Sequence, residues 1–172
     1  MQYESNKAIR QRGITIIELM VTMAIAAILI GLALPAYNGF IAQQNLTAQG
    51  NDLVLAIQLS KSEATRRGQT VSLQSMNSAD GSDEWGPGWC VVVGNPANCN
   101  NALRTFQPRG ANTADGEGGL DGVGTLTFNS RGLLTLGAGG AVLICDPTAT
   151  RGRRVNVSAI GRVATDDGVN CP

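Results

Sequence analysis

Residues 13–35 read GITIIELMVTMAIAAILIGLALP, and this stretch decides the fold. Residues 14–34 are 21 positions of mostly apolar character, interrupted by Thr15, Glu18, Thr22 and Gly31. As a helix rising 1.5 Å per residue they span about 31 Å, close to the hydrocarbon thickness of a bilayer. Lys7, Arg10 and Arg12 precede the run against a single acid, Glu4. That bias keeps the short N-terminus cytoplasmic and sends the remainder across the membrane. A cleaved secretory signal is the plain alternative. Its small-residue site would be Ala24-Ile25-Ala26, which lies in mid-run. Glu18 also argues against it, because a carboxylate inside the apolar segment costs about 2.5–3.5 kcal/mol near the membrane centre and is retained for a function.

The rest of the chain is a different kind of sequence. It has 172 residues, with 13 Lys plus Arg, 13 Asp plus Glu and no His. A hydrophobic content of 43% excludes global disorder, and the length suits one domain with an appendage. The lack of His excludes Ser-His-Asp and Cys-His catalysis and any His-ligated zinc, so the composition points away from an enzyme. With 22 Gly and only 4% aromatics, a loop-rich β-containing body is expected rather than a helical bundle. After Pro35, Leu46, Leu53, Ile57, Ser60 and Ala64 recur at helical spacing. This predicts an amphipathic helix over 36–68, stopped at Gly68, with Arg66 and Arg67 matched to its negative end. Gly39 and Gly50 are expected to soften that helix by about 1 kcal/mol each. Pro35 should kink or locally melt it.

From Gln69 the hydrophobic period changes to two. Strands are predicted at 69–76, 88–94, 103–107, 123–129, 140–145, 153–159 and 161–165, with turn-rich stretches at 77–88, 94–101, 108–122 and 146–152. The expected fold class is α+β, with one long N-terminal helix packed on a β-sandwich or two small antiparallel sheets over 69–172. Trp85 and Trp89 read as core residues. Cys90, Cys99, Cys145 and Cys171 allow three pairings; nearest-neighbour pairing gives Cys90–Cys99 and Cys145–Cys171. The second would contribute about 3.5 kcal/mol in the chain-entropy model. Zinc favours short C-x-x-C pairs, which are absent, so structural disulfides in an oxidising compartment are the preferred reading. The acidic residues Asp115, Glu117 and Asp121 lack the ordered ligand ladder of a calcium loop, and 108–122 reads as a mobile surface loop.

Gly13-Ile14-Thr15-Ile16-Ile17-Glu18-Leu19, followed by Pro35, resembles the N-terminal signal of type IV pilins and type II secretion pseudopilins. The resemblance implies that residues 1–13 are a leader removed by a prepilin peptidase after Gly13, and that Ile14 is then N-methylated. Ile14 departs from the Phe most common there. Glu18 becomes the fifth mature residue, where its carboxylate can pair with the terminal ammonium of a neighbouring subunit and set axial register. Leu59-Ser60-Lys61-Ser62-Glu63-Ala64, Trp85-Gly86-Pro87-Gly88-Trp89, Leu126-Thr127-Phe128 with Gly132, and Gly161-Arg162-Val163 after Cys145-Asp146 resemble the GspH/FimT pseudopilins. This narrows the expectation to a FimU/FimT-type minor pilin that helps initiate and cap a filament at or near its tip, with a type II secretion pseudopilin as the alternative. The implied partners are other major and minor pilins, the prepilin peptidase, the inner-membrane assembly platform and membrane lipid. The implied location is the inner membrane, with the C-terminal body periplasmic, and then the filament. No cofactor, metal or catalytic residue is expected.

Arg151, Arg153, Arg154 and Arg162 form a basic C-terminal group. Some FimT-type pilins bind DNA through a Gly-Arg-x-Arg motif, whereas this chain has Gly161-Arg162-Val163-Ala164, with Asp166 and Asp167 following. Strand alternation should also send Arg153 and Arg154 to opposite faces, although a flexible 146–152 loop could gather Arg151 with Arg153. Solvated strand charges or subunit contacts are the preferred reading, and DNA binding is the alternative. Removal of the leader would leave 10 basic and 12 acidic side chains, so the mature chain is slightly acidic.

Overall fold

The computed structural model describes residues 13–76, 83–96, 98–148 and 150–172, with the backbone alone at 34–36. The described residues hold one helix, α1 (Ile16–Arg67), and eight strands: β1 (Val71–Ser75), β2 (Trp89–Val93), β3 (Arg104–Phe106), β4 (Thr113–Gly118), β5 (Thr125–Phe128), β6 (Gly140–Cys145), β7 (Arg151–Val157) and β8 (Val163–Asn170). The chain divides into two compact units, one reaching Asn38 and the other Gly39–Pro172.

In the first unit, α1 begins where Thr15 caps it. The amide of Glu18 donates to Thr15 Oγ1 at 3.3 Å, satisfying one of the open N–H groups of the first turn. The apolar side chains from Ile16 to Leu32 are solvent-exposed, and α1 is long and apolar enough there to cross a membrane. The helix is unbroken through Pro35, so the local melting expected at that position does not occur. A proline removes one ladder hydrogen bond, and the turns on either side keep their own.

In the second unit, α1 buries one face. Leu46, Gln49, Leu53, Ala56, Ile57, Ser60 and Ala64 recur every three or four residues and are each at most 1% exposed. Each buried Leu or Ile contributes roughly 1.5–3 kcal/mol. The helix stops at Gly68, whose φ of 64° lets the Gln69 amide fold back onto the Ala64 carbonyl at 3.3 Å. Arg66 and Arg67 both pair with Glu63, at 2.7 and 2.6 Å.

Two four-stranded antiparallel sheets share the core with this helix, in the orders β3-β2-β1-β5 and β4-β6-β7-β8. Val71, Leu73, Val91, Leu126 and Phe128 of the first sheet and Val142, Ile144, Val155 and Val157 of the second form one cluster with Leu53 and Ile57. Trp85 and Trp89 are fully buried as expected, and Trp89 lies 6.3 Å from the Phe106 ring.

The structure corrects three sequence readings. Residues 108–122 are not simply a loop, because β4 pairs with β6 from Thr113↔Cys145 to Gly118↔Gly140. Its inward residues are Ala114 and Gly116, too small to register as a hydrophobic alternation. Strand β7 begins at Arg151, which pairs with Asn170 of β8, so Arg151 and Arg153 are held in one strand rather than gathered by a loop. Gly50 does more than soften the helix. A Cβ there would stand 2.6 Å from Cδ of Arg153, which crosses α1 at this notch.

Ala is normally about 1 kcal/mol better than Gly inside a helix. Here we expect Gly50→Ala to lower the melting temperature by displacing Arg153. In an Arg153→Ala background the same change should raise it. Circular dichroism melts of the four proteins in detergent check the reversal.

Candidate functional site

Gly13, Ile14 and Thr15 precede the first helical turn and are exposed, so the bond after Gly13 lies in irregular backbone of the kind a protease can engage. Glu18 sits in the first turn among exposed Ile16, Ile17, Leu19 and Met20. Among the described residues its carboxylate has no hydrogen-bond or ion-pair partner. An unpaired carboxylate in an apolar surface is costly in lipid, and a cation from another chain would offset that cost. The Thr15-x-x-Glu18 spacing of a helix start was visible in the sequence and was not read there as a cap.

Segments far apart in sequence converge at the C-terminal half of α1. Lys61 Nζ donates to the Gly161 carbonyl at 2.9 Å. Gly161, at φ 74°, leaves no room for a side chain, since a Cβ would lie 2.9 Å from Phe128 Cε1. Gly132, at φ 73°, does the same beside Thr65, 2.8 Å from its Oγ1. On the opposite flank Arg109 reaches Asp52 at 2.7 Å, and the buried amide of Asn112 donates to Gln49 Oε1 at 3.0 Å.

The C-terminal arginines do not share a face. Arg153 turns inward, is 9% exposed and stands 3.4 Å from Asp167. Arg154 points outward and pairs with Glu117 at 2.6 Å. Arg151 is exposed and donates to the Gly168 carbonyl, and Arg162 is exposed in the β7–β8 turn. Asp166 and Asp167 stand opposite Arg154 and Arg153 in the β7–β8 ladder. Two disulfides hold the body. Cys90–Cys99 closes the β2–β3 connection, and Cys145–Cys171 fastens the C-terminus to β6 above Gly152. A Cβ on Gly152 would come within 2.8 Å of Cys171 Sγ.

This arrangement can be set beside known proteins. The family model described as Type II transport protein GspH matches residues 49–161, which run from the buried face of α1 to the Gly161 turn. The chain belongs to the GspH family. A second model, the prokaryotic N-terminal methylation motif, matches residues 9–34. Among solved structures, the type IV minor pilin FimU of Pseudomonas aeruginosa is 25% identical, with a TM-score of 0.63 over 77% of this chain and 96% of that one. A second crystal form of FimU gives 24% identity and a TM-score of 0.59 over 73% and 96%. The minor pseudopilin EpsH of the Vibrio cholerae Type 2 Secretion System shares the fold at 14% identity, with a TM-score of 0.52 over 72% and 97%.

Within the GspH region an acidic clamp joins the two sheets, and sequence reading missed it. Glu84 is 2% exposed, and its carboxylate accepts the amides of Gly116 at 3.1 Å and Gly122 at 3.0 Å. Asp83 accepts the Ala114 amide at 2.6 Å. The only sequence cue is an acidic pair directly before Trp85, and its partners lie 31 to 38 residues away. Burial, then a hydrogen bond to Glu84, then the charges of Glu84, Asp121 and Glu117 push the Asp115 carboxyl up to about 6. Burial raises Glu84 as well, but the Gly116 and Gly122 amides and the Asp115 proton outweigh it and hold Glu84 below the usual range.

The signs are opposite. Asp115, raised in the folded state, stabilises at low pH, and that stability is lost as pH rises through about 6. Glu84, lowered, stabilises above the usual carboxylate range and loses that contribution as pH falls. We expect the melting temperature to drop by a few degrees between pH 5 and 7.5. After discounting Asp115 for solvent, this is roughly 1 kcal/mol. Asp115→Asn should abolish the drop. Thermal melts across that range measure it.

Proposed function

We propose that this GspH-family chain is a minor pilin of a type IV pilus, incorporated at or near the filament tip, where it helps initiate and cap assembly. The observation that carries this reading is the nearer likeness to the minor pilin FimU, at 25% identity and a TM-score of 0.63, than to the pseudopilin EpsH, at 14% and 0.52. A pseudopilin of a type II secretion system is the second reading, favoured by the description of the matching family.

In this account residues 1–13 are a leader cut after Gly13 by the prepilin peptidase, and Ile14 carries the methylated terminus. Residues 14–35 anchor the chain in the inner membrane, N-terminus cytoplasmic, until the assembly platform extracts it. Glu18 then pairs with the terminal ammonium of an adjacent subunit, Pro35 marks the end of the spanning stretch, and the body over 36–172 stays on the periplasmic side. The role is structural rather than enzymatic. DNA uptake through Arg151, Arg153, Arg154 and Arg162 is not favoured, because one guanidinium is turned inward and another is committed to Glu117.

Glu18→Ala is expected to leave the chain in the membrane, folded and disulfide-bonded, yet absent from sheared pili on immunoblots. Wild-type recovery of that variant in the pili would overturn the assembly role. Gly13→Ala should slow or block leader removal, read as retention of the larger precursor on a gel. Processing at the wild-type rate would refute the cleavage site.

A further inference from the structure

Nine arginines lie among the described residues, and most have a partner for the side chain. Arg66 and Arg67 hold Glu63, Arg109 holds Asp52, Arg153 faces Asp167 and Arg154 holds Glu117. Arg104 lies 4.9 Å over the Phe106 ring, and Arg151 donates to the Gly168 carbonyl. Arg131 and Arg162 differ. Their backbone amides are bonded, to Asn129 Oδ1 and Ser158 Oγ, but among the described residues their guanidinium groups meet no acid, carbonyl or ring.

These two belong to turns that meet the same part of α1. Arg131 sits in the 129–133 turn, which Gly132 brings against Thr65. Arg162 follows Gly161, whose carbonyl holds Lys61 Nζ. An open groove of about 450 Å³ runs between helix and turn, lined by Gln58, Lys61, Arg131 and Leu133 among others, with no acidic side chain. Two aliphatic side chains are exposed here: Leu133 lines the groove, and Ile160 directly precedes the Gly161 whose carbonyl holds Lys61. Leu133 is 43% exposed and Ile160 is 63% exposed. The result is three cations that have no ion-pair partner among the described residues, and two exposed aliphatics, on turns that meet one part of α1 in a protein whose mature chain is slightly acidic.

We propose that this surface docks an acidic protein segment of a neighbouring subunit, one that brings carboxylates to Arg131 and Arg162 and an apolar side chain to Leu133 and Ile160. Guanidinium groups hold carboxylates through paired, charge-assisted hydrogen bonds, and such contacts gain strength where adjoining aliphatic groups exclude water. The exposed aliphatics favour a protein over a nucleic acid, because a phosphate backbone presents nothing apolar to cover them. The proposal rests on the chain acting as a filament subunit, and it adds which face meets which chemistry.

The test is photo-crosslinking in cells that assemble the filament, with a photoreactive residue placed at Leu133, at Ile160 or, as a control, at exposed Asn100. We expect Leu133 and Ile160, and not Asn100, to crosslink one co-assembled subunit within a few residues of an Asp or Glu. Arg131→Glu with Arg162→Glu should lower the yield roughly tenfold or more, and changing the partner's acids to Arg should restore it. Arg131→Gln with Arg162→Gln should give a partial loss, with the melting temperature of each variant showing that the body remains folded. No crosslink, a crosslink to DNA or lipid, a partner segment without acids, or a yield indifferent to the charge change would each overturn the proposal. Recovery of the chain in sheared filaments, scored in the same cells, separates the outcomes. A chain that is present but uncrosslinked sinks this surface alone, whereas a chain missing from the filament sinks the subunit reading.

Discussion

Everything in the body depends on burying the face of α1 that runs from Leu46 to Ala64. The two sheets join one cluster with that face, and the cluster holds Leu53 and Ile57 together with Phe128 of one sheet and Ile144 of the other. A helix that is apolar on one stripe is stable only where something covers that stripe. The N-terminal part of the same helix is mostly apolar, and among the described residues its side chains from Ile16 to Leu32 are left uncovered. A change of pattern along one uninterrupted helix therefore separates a segment suited to lipid or to other helices from a spine suited to a soluble body.

The closest contacts are made by residues with little or no side chain. Gly50 admits Arg153, Gly132 admits Thr65, Gly161 admits Phe128 and Gly152 passes beneath a disulfide. These positions explain why a chain rich in Gly and poor in aromatics still packs tightly. Trp85, Trp89, Phe106 and Phe128 supply the bulk, and Gly lets backbone and long side chains approach one another. The acidic clamp works on the same scale. Asp83 and Glu84 take up amides of β4 and the following turn that no strand partner could reach.

Much of this was legible in the sequence. The helix, its stop at Gly68, its buried Leu46, Leu53, Ile57, Ser60 and Ala64, seven of the strands and the buried Trp pair follow from periodicity and turn chemistry. Strand β4 was not legible, because Thr-Ala-Asp-Gly-Glu-Gly offers no apolar alternation and is held in place by its ladder to β6 and by Glu84 from outside. Strand alternation put Arg153 and Arg154 on opposite faces, but not the reason Arg153 fits inside, which requires knowing that Gly50 stands across from it. The groove beside α1 was also invisible, since its Lys61 and Arg131 come from separate stretches. Local patterns carried local structure, and contacts across about 100 residues carried the rest.

The family assignment fixes the kind of molecule, and the remaining choice is which filament it serves. The most direct measurement is quantitative mass spectrometry of filaments sheared from three strains: the wild type, one lacking the major subunit of the type IV pilus and one lacking that of the type II secretion system. The account predicts substoichiometric recovery of this chain, beginning at methylated Ile14, with the pilus fraction, and its loss only in the strain without the pilus subunit. Recovery that survives removal of the pilus subunit and disappears with the secretion subunit would contradict it.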